Sequence, residues 1–129
     1  MTIEFELEDA SNIALITVSK KLGVEELKQS QERCEAAIKA VGNIKLLVVL
    51  SDFQGWEKED GWEDMSFAEK NDAYIDKIAI IGDKERWEHL AYAFTCKGLR
   101  PVSIEFFGDT EISAARRWLV DGDQGATKY

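Results

Sequence analysis

The sequence predicts an α/β fold: an N-terminal hairpin leading into a mostly parallel sheet, its helices stacked on one face as a β–α superhelix. Three observations carry that expectation. Residues 44–50 are a nearly unbroken apolar run (Ile44, Leu46, Leu47, Val48, Val49, Leu50), too short for an ordinary helix, as expected of a strand buried on both faces. Residues 3–8, IEFELE, alternate apolar with acidic; turn residues Asp9-Ala10-Ser11-Asn12 and a second apolar run at 13–18 follow, which together read as a hairpin. Beyond them, stripes at helical spacing alternate with short apolar strands. Parallel strands joined by helices cross over right-handedly, so strands added one beside the last would gather the helices on one side.

Taken in order, Gly23 opens a helix whose apolar positions are Val24, Leu27, Cys34, Ile38 and Val41, with charged residues covering the rest. Gly42-Asn43 stops it, and the central strand, read as 44–51, begins at once. The acidic loop 57–64, EKEDGWED, has neither strand nor core pattern and reads as solvated. A helix is expected over 62–75, with Glu63 and Asp64 in its first turn where the helix dipole favours them. Its pattern is the least regular in the chain: Phe67, Tyr74 and Ile75 can share a core-facing side, whereas Trp62 and Met65 project from another sector.

A short strand at 78–81 turns through Gly82 into a helix capped by Asp83, with Trp87, Leu90, Ala91 and Phe94 as its inward stripe. Lys97-Gly98 ends that helix. A strand at 102–107 precedes a final helix, capped by Asp109 or Thr110, whose Ile112, Ala115, Trp118 and Leu119 face inward. The domain is expected to span 1–120, with 121–129 a flexible tail.

At 129 residues the chain is long enough for one core. Its 45% hydrophobic and 32% charged residues are ordinary for a soluble globule. No export signal is apparent at the N-terminus, and no apolar run reaches the roughly 20 residues a bilayer crossing needs, so a cytoplasmic protein is expected. The net charge of -9, from 25 acidic against 16 basic residues, argues against nucleic acid and against strong attraction to anionic lipid. Cys34 and Cys96 make neither a disulfide framework nor a zinc set; Cys34 falls on an apolar stripe and reads as a buried, inert thiol.

Several stretches together resemble the SpoIIAA-like family of small bacterial proteins, relatives of STAS and CRAL-TRIO domains. They are Phe53-Gln54-Gly55-Trp56 after the central strand, residues 77–83 (KIAIIGD) followed by Trp87, and Ala114-Ala115 to Trp118-Leu119. The resemblance spans roughly residues 3–120. It implies a sheet-and-helix domain, often a homodimer, without enzymatic chemistry, suited to a hydrophobic ligand under mobile helices and to weak or transient membrane contact. STAS anti-sigma-factor antagonists carry a phosphorylatable serine in a turn after a strand. Here Ser51-Asp52-Phe53 departs from that pattern, and Ser51 and Ser66 are the nearest candidates.

Enzyme chemistry finds little support. The single His89 has no local Ser or Cys partner, and no nucleophile elbow, Walker or dinucleotide motif occurs. The carboxylates of 52–64 lack calcium-loop register, so neither metal nor cofactor is expected. Aromatic and thioether side chains are instead crowded after the central strand. Phe53, Trp56, Trp62, Met65 and Phe67 are expected to line a pocket between that strand's carboxyl end and a movable 56–76 segment, with Tyr74 offering a hydroxyl. The leading expectation is a non-enzymatic domain that binds a small hydrophobic, amphipathic or lipid-like molecule. The alternative is a STAS-type regulatory protein-interaction module, phosphorylated at Ser51 or Ser66.

Overall fold

A computed structural model describes residues 3–8 and 11–125, the last four of them by backbone alone. β1 (Ile3–Glu8) and β2 (Ile13–Leu22) form the hairpin, antiparallel, with Ile3 opposite Val18 and Glu8 opposite Ile13. β3 (Ile44–Trp56), β4 (Ile75–Gly82) and β5 (Ser103–Gly108) then add in parallel, giving the spatial order β1-β2-β3-β4-β5. The fold class is the mixed α/β arrangement the sequence predicts, each new strand laid beside the last.

Two strands run well past their expected ends. β2 continues to Leu22 and β3 to Trp56, so 51–56 is not a free turn but an irregular extension pairing Lys20 with Phe53 and Leu22 with Trp56. Register shifts flank Lys20, and Lys20 and Asp52 both adopt left-handed backbone angles (φ 60 and 55). Their side chains meet at 2.6 Å. A bulge inserts residues out of step with the ladder, so the period-two signal breaks although pairing continues. Gly55, at φ 105, is where that extension needs a residue without a Cβ.

α1 (Val24–Val41) begins with its orphan amides held by carboxylates: Gly23 N–H donates to Glu26 Oε1 at 3.1 Å, and Val24 N–H to Glu59 Oε2 at 2.8 Å. The acidic loop is thus partly a cap for α1 and not merely solvated. α3 (Lys84–Thr95) has the expected cap, with Asp83 Oδ1 accepting from the Arg86 N–H at 3.3 Å. At the start of α4 (Ile112–Gly125) neither Asp109 nor Thr110 is the cap. Glu111 is, its carbonyl taking the Ala115 N–H while its carboxylate turns back to the Gly108 N–H at 2.6 Å. The backbone of α4 runs on through Gly125, past residue 120; residues 126–129 lie outside the described residues.

The helix expected over 62–75 is largely absent. α2 covers only Ser66–Asn71, a 3-10 turn covers Asp72–Tyr74, and Ile75 already belongs to β4. Local side-chain bonds compete with the helix at its start: Asp64 Oδ1 accepts from both the N–H and the hydroxyl of Ser66, and Trp62 Nε1–H donates to the Glu57 carbonyl at 3.0 Å.

The helices divide between the two sheet faces, correcting the one-sided stack. α1 and α3 cover one face through Cys34, Ala37, Trp87 and Ala91; α4 covers the other, where Ala115 and Leu119 meet Ile13, Leu47, Ala79 and Ile81. α4 follows the edge strand and has no further strand to reach, so crossover handedness does not constrain it. The uncovered apolar side of β3 and β4 draws it there. Close approach on the α1/α3 side is built into Gly82, where a Cβ would lie 3.0 Å from Leu50 Cδ1 and 3.2 Å from Phe106. Leu90 (50% exposed) and Ile112 (40%) do not face inward as expected. α3 rests on β4 and the edge strand β5, which leaves its outer flank without a neighbour.

Candidate functional site

Between α1 and α3 the sheet face is not filled. A partly open cavity of about 180 Å³ lies there. Its floor is Ile16, Val18, Leu46, Val48, Ile78 and Ile80; its walls are Leu27 and Cys34 from α1 and Ala91 and Phe94 from α3. Trp62, Met65, Phe67 and Ala68 from the segment after β3 form the roof, while Phe53 and Trp56 close the end at the bulged extension. Val48 and Leu50, on the middle strand of the sheet, line it and are half-buried.

Aromatic rings tie the end wall to α3. Phe53 stands edge-on to Trp56 and Trp87, with centroids 5.1 and 4.8 Å apart, and Phe94 reaches Trp56 at 5.2 Å and Trp62 at 5.6 Å. These separations suit favourable edge-to-face and tilted contacts. The roof is pinned at both ends by polar contacts. Glu59 holds the start of α1, Asn71 Nδ2 donates to Glu35 Oε2 at 2.7 Å, and Arg100 donates twice to Asp72, at 2.9 and 2.6 Å. The Arg100–Asp72 fork is well buried, which makes it the strongest of these tethers.

Polar groups in the lining are mostly committed elsewhere. Ser30 donates to the Leu27 carbonyl at 2.9 Å, Thr95 to the Ala91 carbonyl at 2.8 Å, and Arg100 is taken up by Asp72 and the Thr95 carbonyl. The half-buried Gln31 side chain has no such bond, and neither does Trp56. Its indole Nε1 is shut off from solvent and has no hydrogen-bond partner, the one such side-chain atom among the described residues. Burial, aided by the neighbouring Glu35 charge, pushes the Cys34 thiol up to about 12, so the cavity wall presents a neutral sulfur rather than a nucleophile.

Five of the six residues expected to form the pocket do line it: Phe53, Trp56, Trp62, Met65 and Phe67. Tyr74 does not. It sits in the 3-10 turn, 47% exposed, because the helix that would have turned it inward ends at Asn71. Ser51 is exposed on β3; Ser66 is exposed too, with its hydroxyl bonded to Asp64 at 2.7 Å. The sequence reading missed Leu27, Cys34, Ala91 and Phe94 as wall residues. Their helical spacing marked them correctly as inward, but spacing alone does not say whether an inward residue meets another side chain or a void. Among the described residues, no group of three His, Cys, Asp or Glu side chains is placed to hold a metal ion, and no helix is long and apolar enough to cross a membrane.

A comparison with curated proteins finds no match. Among solved structures, an uncharacterised protein from Shewanella loihica with a SpoIIAA-like fold shares 24% identity and superposes with a TM-score of 0.62, covering 91% of each chain. The sequence model of the SpoIIAA-like family matches residues 13–120, a span reaching from the first parallel strand through most of α4. By that match, the chain is a member of the SpoIIAA-like family.

Proposed function

We propose that this protein is a non-enzymatic binding domain for a small hydrophobic or amphipathic molecule, held between the sheet, α1, α3 and the 57–74 roof. The observation that carries the reading is the cavity itself: about 180 Å³ of apolar space in a layer that the neighbouring helices could have closed. A designed apolar cavity of about 150 Å³ in another protein binds benzene, so one or two fused rings, or a short chain, match the space available here. A long acyl chain needs the roof to move, and the roof's polar tethers are the contacts such a movement would break.

Benzene, naphthalene and octanoate, titrated separately and followed by methyl and indole N–H NMR, test the proposal. Binding of at least one of them, with shifts centred on Val48, Phe67 and Trp56, supports it. Val48→Phe supplies the control by filling the cavity from the floor. That variant is expected to stay folded, with stability changed by no more than about 1–2 kcal/mol, and to lose the response. No response to any of the three in the native protein, or an undiminished one in V48F, overturns the assignment.

A further inference from the structure

We propose that the ligand of this cavity carries an uncharged, carboxamide-like head, and that Gln31 recognises it by offering a hydrogen-bond donor and an acceptor side by side. This inference rests on the binding role proposed above and names the polar end of the ligand. α1 turns Leu27, Ser30, Gln31 and Cys34 toward the cavity, at the i, i+3, i+4 and i+7 spacing of one helix side. The Ser30 hydroxyl is taken up by the Leu27 carbonyl, and Cys34 presents a neutral sulfur. The Gln31 amide has no protein partner, yet it is not sealed into the packing as the Trp56 Nε1 is. One turn further along α1, Glu35 reaches the roof and accepts from Asn71 Nδ2–H. At Gln31 the roof supplies no such bond.

Apolar pockets orient their ligands through a few polar groups, and Gln31 is placed to be one. It is half-buried, while Asp64 and Met65 line the cavity from the roof and are exposed, so the lining reaches the surface through these residues. A carboxamide has an acceptor oxygen beside donor hydrogens, which an amide head meets with two paired bonds. A carboxylate head would set a second acceptor against the Gln31 oxygen. Charge opposes it as well. Asp64 and Arg100 are the charged residues of the lining, and Arg100 is bound twice by Asp72. The Ser66 hydroxyl and N–H, with some help from the Lys28 charge on α1, hold the Asp64 carboxyl below its ordinary range, so it is ionised at neutral pH.

Benzamide and cumene have nearly the same shape, and only benzamide carries the head, so the pair separates this inference from the cavity assignment. Affinities for both are measured by NMR titration in the native protein and in Gln31→Leu. The benzamide-to-cumene affinity ratio is expected to fall about fivefold in the variant, the size of one net hydrogen bond. Taking the ratio removes any general change in apolar contact. Gln31→Glu, close to the native side chain in shape, replaces the donor with a second acceptor; it should lower the same ratio at pH 7 and serves if Q31L folds poorly. Benzoate is expected to bind the native protein at least about fivefold more weakly than benzamide.

An unchanged ratio in the variants overturns the role of Gln31 and leaves the cavity assignment standing, since cumene still binds. Benzoate binding as tightly as benzamide overturns the preference for an uncharged head. Failure of benzamide to bind, while benzene or cumene does, defeats this inference alone. Failure of all three rings defeats the cavity assignment with it.

Discussion

The two faces of the sheet are built from the same strands and finished differently. Under α4, Leu47, Ala79, Ala115 and Leu119 are each fully buried and form a layer with Ile13 and Ile81. Under α1 and α3, Val48 and Leu50 are half-buried and line a cavity, whereas Val49, between them on the α4 face and half-buried too, packs against the solid layer. The contrast lies in how each face is covered. α4 is a single helix with alanine at its point of contact, so it can settle directly onto Ala79. On the other side two helices stand over different strands, and the middle is spanned by a loop and a short helix. A loop carries backbone polar groups that must be bonded, and large side chains arranged to satisfy it do not fill space as a packed helix does.

Truncations on either side should expose this difference most strongly. Leu119→Ala is expected to cost about 3–5 kcal/mol, since the solid layer cannot collapse around the missing atoms. Phe67→Ala removes more atoms from the roof yet should cost less than Leu119→Ala, because Phe67 is only half-buried and faces existing space. Chemical denaturation of both variants decides the matter; equal losses would mean that the two faces are packed alike.

Next in size is the tether on the roof. Arg100→Met leaves the Asp72 carboxylate buried and unpaired, at a cost of about 3 kcal/mol. Hydrogen exchange should show where the loss falls: faster at 66–74 and unchanged in α4 if the roof is an independently opening unit. Uniform acceleration throughout the chain would remove the distinction between roof and body.

The smallest effect concerns the link between β1 and α4. Arg116 donates to both carboxylate oxygens of Glu8, at 2.8 and 2.9 Å, and those bonds hold the Glu8 carboxyl below its ordinary range. A carboxyl with its folded pKa depressed stabilises the fold above its unfolded value, near 4.5 for glutamate, and the contribution disappears as pH falls through the folded pKa. The pair is partly exposed, so Glu8→Gln should cost less than about 1 kcal/mol at pH 7. Denaturant midpoints for the two proteins should converge as the pH is lowered below 4.5 and through the folded pKa; a difference that persists or grows in acid would assign the stabilisation to something other than this ion pair.

Where local pattern and tertiary surroundings agree, the residues themselves announce the structure. IEFELE is a strand with one wet face, Val24, Leu27 and Cys34 mark a helix, and Asp83 caps the next one. Disagreement arises where a contact distant in the chain overrides a local signal. Residues 51–56 look like a turn because Ser51, Asp52 and Gly55 are turn residues, yet pairing with Lys20–Leu22 keeps them in the sheet. Tyr74 looks inward only if a helix reaches it, and the bonds made by Asp64, Trp62 and Asn71 shorten that helix. The positions of Trp56 and Trp62 beside the cavity were nonetheless legible in outline, since both sit among glycines and acids outside the regular apolar stripes.

The amino-acid order alone determined the strand sequence, the opening hairpin and the apolar central strand, because apolar periodicity is set by residues near one another in the chain. Only the assembled molecule decided which face α4 took, how far β2 and β3 ran on together, and that space remained under the roof. Those outcomes depend on distances between elements far apart in the sequence. A pattern of apolar residues records which side chains leave water, not whether they meet each other once they have.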